Sequence, residues 1–315
     1  MGVSMLLIML YHQYFTSIIP FNVFHNFGFW GVDIFLFLSG MGLVRSLNTN
    51  SISVYYQRRV RRIIPSCIFC GSLKYIVFLL LESYFIELKD GLHLGWWSMA
   101  SLDLWFIPAI IILYTISPLL YNLLCKWPYL TMTIITIAFF INGFTLKPFI
   151  GYNWTTPMGL LSWTIERLPV FTAGMFLAIN KEWINNKIKY TTIFFIISIG
   201  TKVLMKLGFT FRGDEAICYF ALALGIPSLI LLCVGLLRVL PHTLKHFISF
   251  LGNYSLELYL VHEFIFWGLQ NNFKQASPWL ILPFGFFLSC ITAYLCKNFT
   301  STIVSKVQPC EEIDT

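Results

Sequence analysis

Residues 1–15 read MGVSMLLIMLYHQYF, an apolar run whose one side chain that titrates near neutral pH, His12, sits within it. The run reads as a first membrane-crossing helix. Polar groups are costly in hydrocarbon, so a histidine inside a span faces either a water-filled cavity or a partner. Two roles are open for it: a helix-packing residue bonded to a neighbouring carbonyl, or a functional one. The rest of the chain has the same character, with 57% hydrophobic, 18% aromatic and 11% charged residues, whereas a soluble domain carries roughly 25% charged residues. An all-α polytopic membrane protein is therefore expected. At about 20 residues per span, its 315 residues hold a bundle of about ten transmembrane helices.

The apolar runs divide accordingly, into Met1 to Ile19, Phe29 to Val44, Ile63 to Ile86, Leu104 to Leu124, Pro128 to Phe144, Leu168 to Ile179, Tyr190 to Leu207, Glu215 to Leu237, His246 to Leu269 and Pro278 to Cys296. The first run lacks a basic n-region and a small-residue cleavage site, so it is expected to be retained. No linker or repeat interrupts the series. Residues 1–297 are expected to form one membrane domain, and 298–315 a short cytoplasmic tail. Orientation follows from Lys and Arg, which favour the cytoplasmic side. With the segment Arg45 to Arg62 inside, thirteen basic residues fall inside and six outside, which puts both termini in the cytoplasm; the membrane itself is expected to be the plasma (inner) membrane. The net charge of +7 then reflects topology, and no nucleic acid is expected as a partner. Cys67 and Cys70 follow Pro65 in an apolar helix and read as small buried residues, so neither disulfide nor metal is expected.

Several constellations carry possible chemistry. In FGFWGVDIFLFLSGMGLVRS, Asp33 enters the second span among Gly28, Gly31, Gly40 and Gly42. It either caps the helix, as acids near the positive dipole end do, or positions a substrate or orients a base, and the glycines permit close helix approach. The loop after this span ends in YYQRRVRRIIP, with Arg58, Arg59, Arg61 and Arg62 packed into five residues. Arginine forks bind phosphate bidentately, so the cluster suits either a nucleotide-type cofactor or membrane lipid phosphates. Tyr55 and Tyr56 fit the interface or an adenine ring.

The longest outside stretches, Glu87 to Asp103 and Phe144 to Arg167, carry Trp96, Trp97, Trp154 and Trp163. These are interfacial anchors or, for some of them, a stacking platform for a sugar or lipid head group. Asp103 and Trp105 stand at one span entrance, Glu166 and Arg167 at another. Adjacent residues point about 100° apart on a helix, so Glu166 and Arg167 need not pair with each other. In LGNYSLELYLVHEFIFW, Glu257 and His262 lie five apart inside a span, followed by Glu263, which suggests a polar interior. Trp105, Glu166, Arg167, Glu257 and His262 are the candidate substrate-binding groups.

Taken in order, HQYF after an apolar first helix, GVDIFLFLSG, YYQRRVRRIIP, LWFIPAIIILY, RLPVFTAGM and SLELYLVH resemble the membrane-bound acyltransferase family 3, from about residue 2 to 265. The resemblance implies a ten-helix bundle that uses acetyl-CoA, or another acyl-CoA, to acylate a hydroxyl of a surface polysaccharide or lipid-linked glycan. It makes His12 the catalytic residue and associates the arginine-rich loop, Arg58, Arg59, Arg61 and Arg62, with the acyl donor; on the reading of the residues above, Asp33 is a second catalytic candidate and Tyr56 a further donor-binding one. A neutral imidazole can deprotonate a sugar hydroxyl or carry the acyl group briefly. Two departures stand out. The family pattern has an arginine eleven residues before the histidine, a position that here is Met1, so either the chain begins late relative to its relatives or an expected basic group is absent; and the fourth-span motif has the LWFI form without the WSLxxE glutamate. The competing classes are a transporter or flippase for a glycan or lipid, and an inactive relative of the acyltransferases; no repeated halves of the kind transporters often show are visible.

Overall fold

The structure is a computed structural model that describes residues 1–12, 28–80, 105–150, 156–210, 213–273 and 277–307. Among these residues the chain is helical, with no strand. The helices are α1 (Gly2–Tyr11), α2 (Trp30–Thr49), α3 (Ile52–Leu80), α4 (Phe106–Lys126), α5 (Pro128–Ile141), α6 (Pro157–Ile179), α7 (Trp183–Lys206), α8 (Asp214–Val239), α9 (His242–Asn253), α10 (Ser255–Asn272) and α11 (Pro278–Val307). After α5 the chain makes a π-turn, Asn142–Leu146, and a last helical turn, Lys147–Ile150.

Six segments among the described residues are long and apolar enough to cross a membrane: Trp30–Thr49, Phe106–Lys126, Pro128–Phe149, Lys187–Lys206, Asp214–Val239 and Pro278–Val304. The expected count of about ten is thus not confirmed among the described residues. Of the other long helices, α6 carries Glu166 and Arg167 and α10 carries Glu257 and Glu263, which lowers their hydropathy.

Three boundaries differ from the sequence reading, each for a local reason. The Arg-rich segment is helical rather than a loop. Helix α2 runs on to Thr49 and α3 starts at Ile52, so Asn50 and Ser51 alone separate them. Asn50 Nδ2 donates to Ser46 O (2.9 Å), and Ser51 Oγ accepts from the Val54 amide (3.4 Å). The sixth helix starts well before Leu168, within a stretch taken as extramembrane. Thr156 caps it, accepting from the Gly159 amide at 3.0 Å, with Pro157 in the first turn, a pairing that favours helix initiation. Finally, the run His246 to Leu269 is two helices broken at Tyr254 (φ −104°, ψ 15°), just after Gly252 and Asn253, both weak helix formers. The stretch Glu87 to Asp103, with Trp96 and Trp97, and Trp154 lie outside the described residues.

The chain divides into two compact units, each discontinuous in sequence. The first comprises Met1–Val32, Tyr56–Leu88 and Pro241–Thr315. Here α1 packs on α9 and α10, and α10 on α11. Small residues set these distances. A Cβ on Gly2 would fall 1.8 Å from Ile248 O, and one on Gly31 2.5 Å from Ser4 O. Ser4 Oγ donates to Gly31 O at 2.6 Å, and Phe69 of α3 stacks on Phe299 of α11 with centroids 4.4 Å apart.

The second unit comprises Asp33–Tyr55 and Lys89–Leu240. Helix α6 packs on α4, α5 and α8, and α7 pairs with α8. Helix α6 also meets α2 backbone to backbone: a Cβ on Gly40 would lie 2.2 Å from Phe171 O, and one on Gly174 2.1 Å from Phe37 O. This reciprocal glycine contact is the close approach expected of small residues in membrane helix pairs. Gly42, by contrast, has nothing within 4 Å of its would-be Cβ.

Candidate active site

In the first unit, His12 caps the C-terminus of α1. Its backbone amide donates to Ile8 O at 3.2 Å, and its Nδ1 lies 3.0 Å from the same carbonyl. Nδ1 is also 3.0 Å from Nε2 of His262 on α10, the two rings meeting edge to face with centroids 4.9 Å apart. His262 is fully buried. Its Nδ1 faces Leu258 O (2.9 Å) and Tyr259 O (3.0 Å), the carbonyls one turn earlier in its own helix. On the other edge of His12, Nε2 stands 4.0 Å from Glu263 Oε2. That separation exceeds a hydrogen bond.

One and a half turns earlier on α10, Glu257 is fully buried. Arg62 of α3 grips it with both terminal nitrogens, Nη2 to Oε2 at 3.0 Å, and Ser66 Oγ donates to Oε1 at 2.8 Å. Five residues of helix advance about 7.5 Å and turn about 140°. Glu257 and His262 therefore serve different partners, although the sequence brackets them together. The arginine cluster divides in the same way. Arg62 is committed to Glu257, while Arg58 and Arg61 are exposed and Arg59 and Tyr56 are half-buried.

The second unit holds another set of ionisable groups. Arg167 Nη1 donates to both oxygens of Asp33, at 3.0 and 3.2 Å, and both residues are buried. Asp33 is thus engaged across the α2–α6 contact. Glu166, the neighbour of Arg167, points elsewhere and receives Lys147 Nζ at 2.6 Å. Lys147 also reaches Glu215 Oε2 at 3.1 Å. The adjacent acid and base do not pair with each other, as the 100° step between them requires. Aromatic rings surround the set. The Arg167 guanidinium lies 4.4 Å from the Tyr219 ring centre and 5.8 Å from that of Trp105, and Trp105 packs beside Trp163 with centroids 5.0 Å apart. Tyr55 is buried in this unit, its hydroxyl bonded to Ser117 Oγ (2.5 Å) and Tyr114 O (3.1 Å).

Sequence reasoning noted Glu263 without giving it a site role, and missed Ser66, Lys147, Glu215 and Tyr219. Glu263 carried a signal, since it follows directly on His262. Lys147 and Glu215 did not, because each sits at a helix end far in sequence from the partner it meets.

A family model described as an acyltransferase domain matches residues 2–297, nearly the whole helical part. No curated protein and no solved structure matches the chain. With its apolar helices and a histidine held at the end of the first of them, the chain is a multi-pass membrane protein that belongs to the membrane-bound acyltransferase family 3.

Proposed function

We propose that this protein is an acyl-CoA-dependent O-acyltransferase, in the first instance an O-acetyltransferase, that modifies a hydroxyl of a cell-surface polysaccharide or lipid-linked glycan. The observation that carries this reading is the setting of His12, bonded on one edge to His262 and facing the Glu263 carboxylate on the other, in a chain of an acyltransferase family. His12 Nε2 takes the proton of the acceptor hydroxyl as its oxygen attacks the thioester carbonyl. The carbon–sulfur bond then breaks, the acyl group stays on the oxygen, and the CoA thiolate recovers the proton from the imidazolium. Glu263 offsets the positive charge that His12 carries in between. Arg58, Arg59 and Arg61 are the phosphate-binding groups for CoA, with Tyr56 beside them. Arg62 instead anchors α3 to α10 through Glu257. We place the protein in the plasma membrane with both termini cytoplasmic, so that the arginine-rich helix start meets the cytoplasmic acyl-CoA pool.

The test uses native membranes, radiolabelled acetyl-CoA and the glycan fraction recovered afterwards. His12→Ala is expected to abolish label transfer with the protein present in the membrane at the parent level. Full transfer by that variant overturns the assignment of His12, and failure of the parent protein to consume the donor turns the reading toward a transporter.

A further inference from the structure

His262 takes part in no step of the proposed reaction, yet it is the fully buried residue against which His12 is set. Its two ring nitrogens have unequal surroundings. Nδ1 faces the carbonyl oxygens of Leu258 and Tyr259 at 2.9 and 3.0 Å. Carbonyls only accept, so Nδ1 carries the proton and, in the neutral ring, Nε2 is an acceptor. The nitrogen 3.0 Å from that acceptor is Nδ1 of His12, which has a second acceptor, Ile8 O, at 3.0 Å. With acceptors converging on it from two sides, Nδ1 of His12 must hold a proton. The neutral His12 ring then carries none on Nε2, the nitrogen on the Glu263 side.

We infer that His262 is a positioning residue that holds His12 in the tautomer whose Nε2 can take the acceptor's proton. This rests on the reading of His12 as the general base. The opposite tautomer would point a lone pair of Nδ1 at two acceptors and leave Nε2 already protonated, unable to act as base. The part His262 plays resembles that of the buried acid in a serine-hydrolase triad, which orients a histidine and fixes its tautomer. Here a second imidazole, itself oriented by two main-chain carbonyls, does so without placing a charge beside the ring. The carbonyls belong to the preceding turn of α10, so the helix itself sets the register of the relay.

Two amide substitutions separate this role from a packing one. His262→Asn keeps an N–H near Nδ1 for the Leu258 and Tyr259 carbonyls and removes the acceptor at Nε2. His262→Gln puts an amide oxygen where Nε2 was. Maximal rate and KM for acetyl-CoA are measured with radiolabelled donor in native membranes at matched protein level, alongside His12→Ala. The Asn variant is expected to lose roughly 10²–10⁴-fold in maximal rate, the range of a lost general base, with KM unchanged, and the Gln variant to regain most of it. Equal rates for Asn and Gln, a parent-like rate in Asn, or a loss confined to KM overturns the positioning role. If His12→Ala is inactive while His262→Asn works normally, that role alone falls. Activity in His12→Ala removes the base and with it the reason for the relay.

Discussion

Asp33 shows what a buried charge in this molecule depends on. Its carboxylate accepts twice from Arg167, and the pair lies out of water between α2 and α6. Removing one partner of a buried pair leaves the other charge uncompensated and costs about 3–5 kcal/mol, whereas replacing both by apolar groups is often close to neutral. Asp33→Ala is therefore expected to lower the thermal unfolding midpoint of the detergent-purified protein, and Asp33→Ala with Arg167→Leu to recover most of it. Parent-like stability in the single variant, followed by the same size-exclusion melting assay, would show that the pair holds nothing. The sequence offered two roles for Asp33, cap or catalytic helper, and neither included Arg167, which lies 134 residues away. Such a partner is invisible to local spacing. His12 was more legible, because an imidazole in an apolar run stands out on composition alone. Its contact with His262 spans 250 residues and could not be read in the same way.

At the scale of helices, the contact of α2 with α6 depends on two glycines. A side chain at Gly40 or Gly174 meets a main-chain oxygen of the other helix at 2.2 or 2.1 Å, and main chain cannot swing aside as a flexible side chain can. Gly40→Ala is expected to reduce the folded protein recovered from membranes sharply, while Gly42→Ala, two residues on and facing open space, leaves it at the parent level. Equal yields of the two variants would contradict the packing described. The glycines were conspicuous in sequence, but which of them makes the contact depends on helix register. The same limit explains the shifted boundaries. Hydropathy places a span where charges are absent, and Glu166 and Arg167 therefore hid the first turns of α6. Their neutralisation by Lys147 and Asp33 is what lets the helix carry them.

For the molecule as a whole, the helical class and the membrane setting were legible from composition, and the family from motifs spread over most of the chain. The division into two units was not, since both are assembled from segments distant in sequence. The proposed orientation predicts that reporters fused after Thr315 and inserted between Asn50 and Ser51 register on the same, cytoplasmic side. Opposite readings would reverse the assignment of the arginine-rich helix to the donor. The π-turn Asn142–Leu146 has a consequence for how the chain tolerates change in length. A π-turn holds one residue more than the α-helical path it replaces, so losing a residue there restores a regular helix without rotating the turn that begins at Lys147. Lys147 would keep its face toward Glu166 and Glu215. The same deletion in α5 would swing Lys147 by about 100°. The turn is thus a tolerant joint in an otherwise length-sensitive helix, the place where a residue can be removed without dismantling the buried ion network.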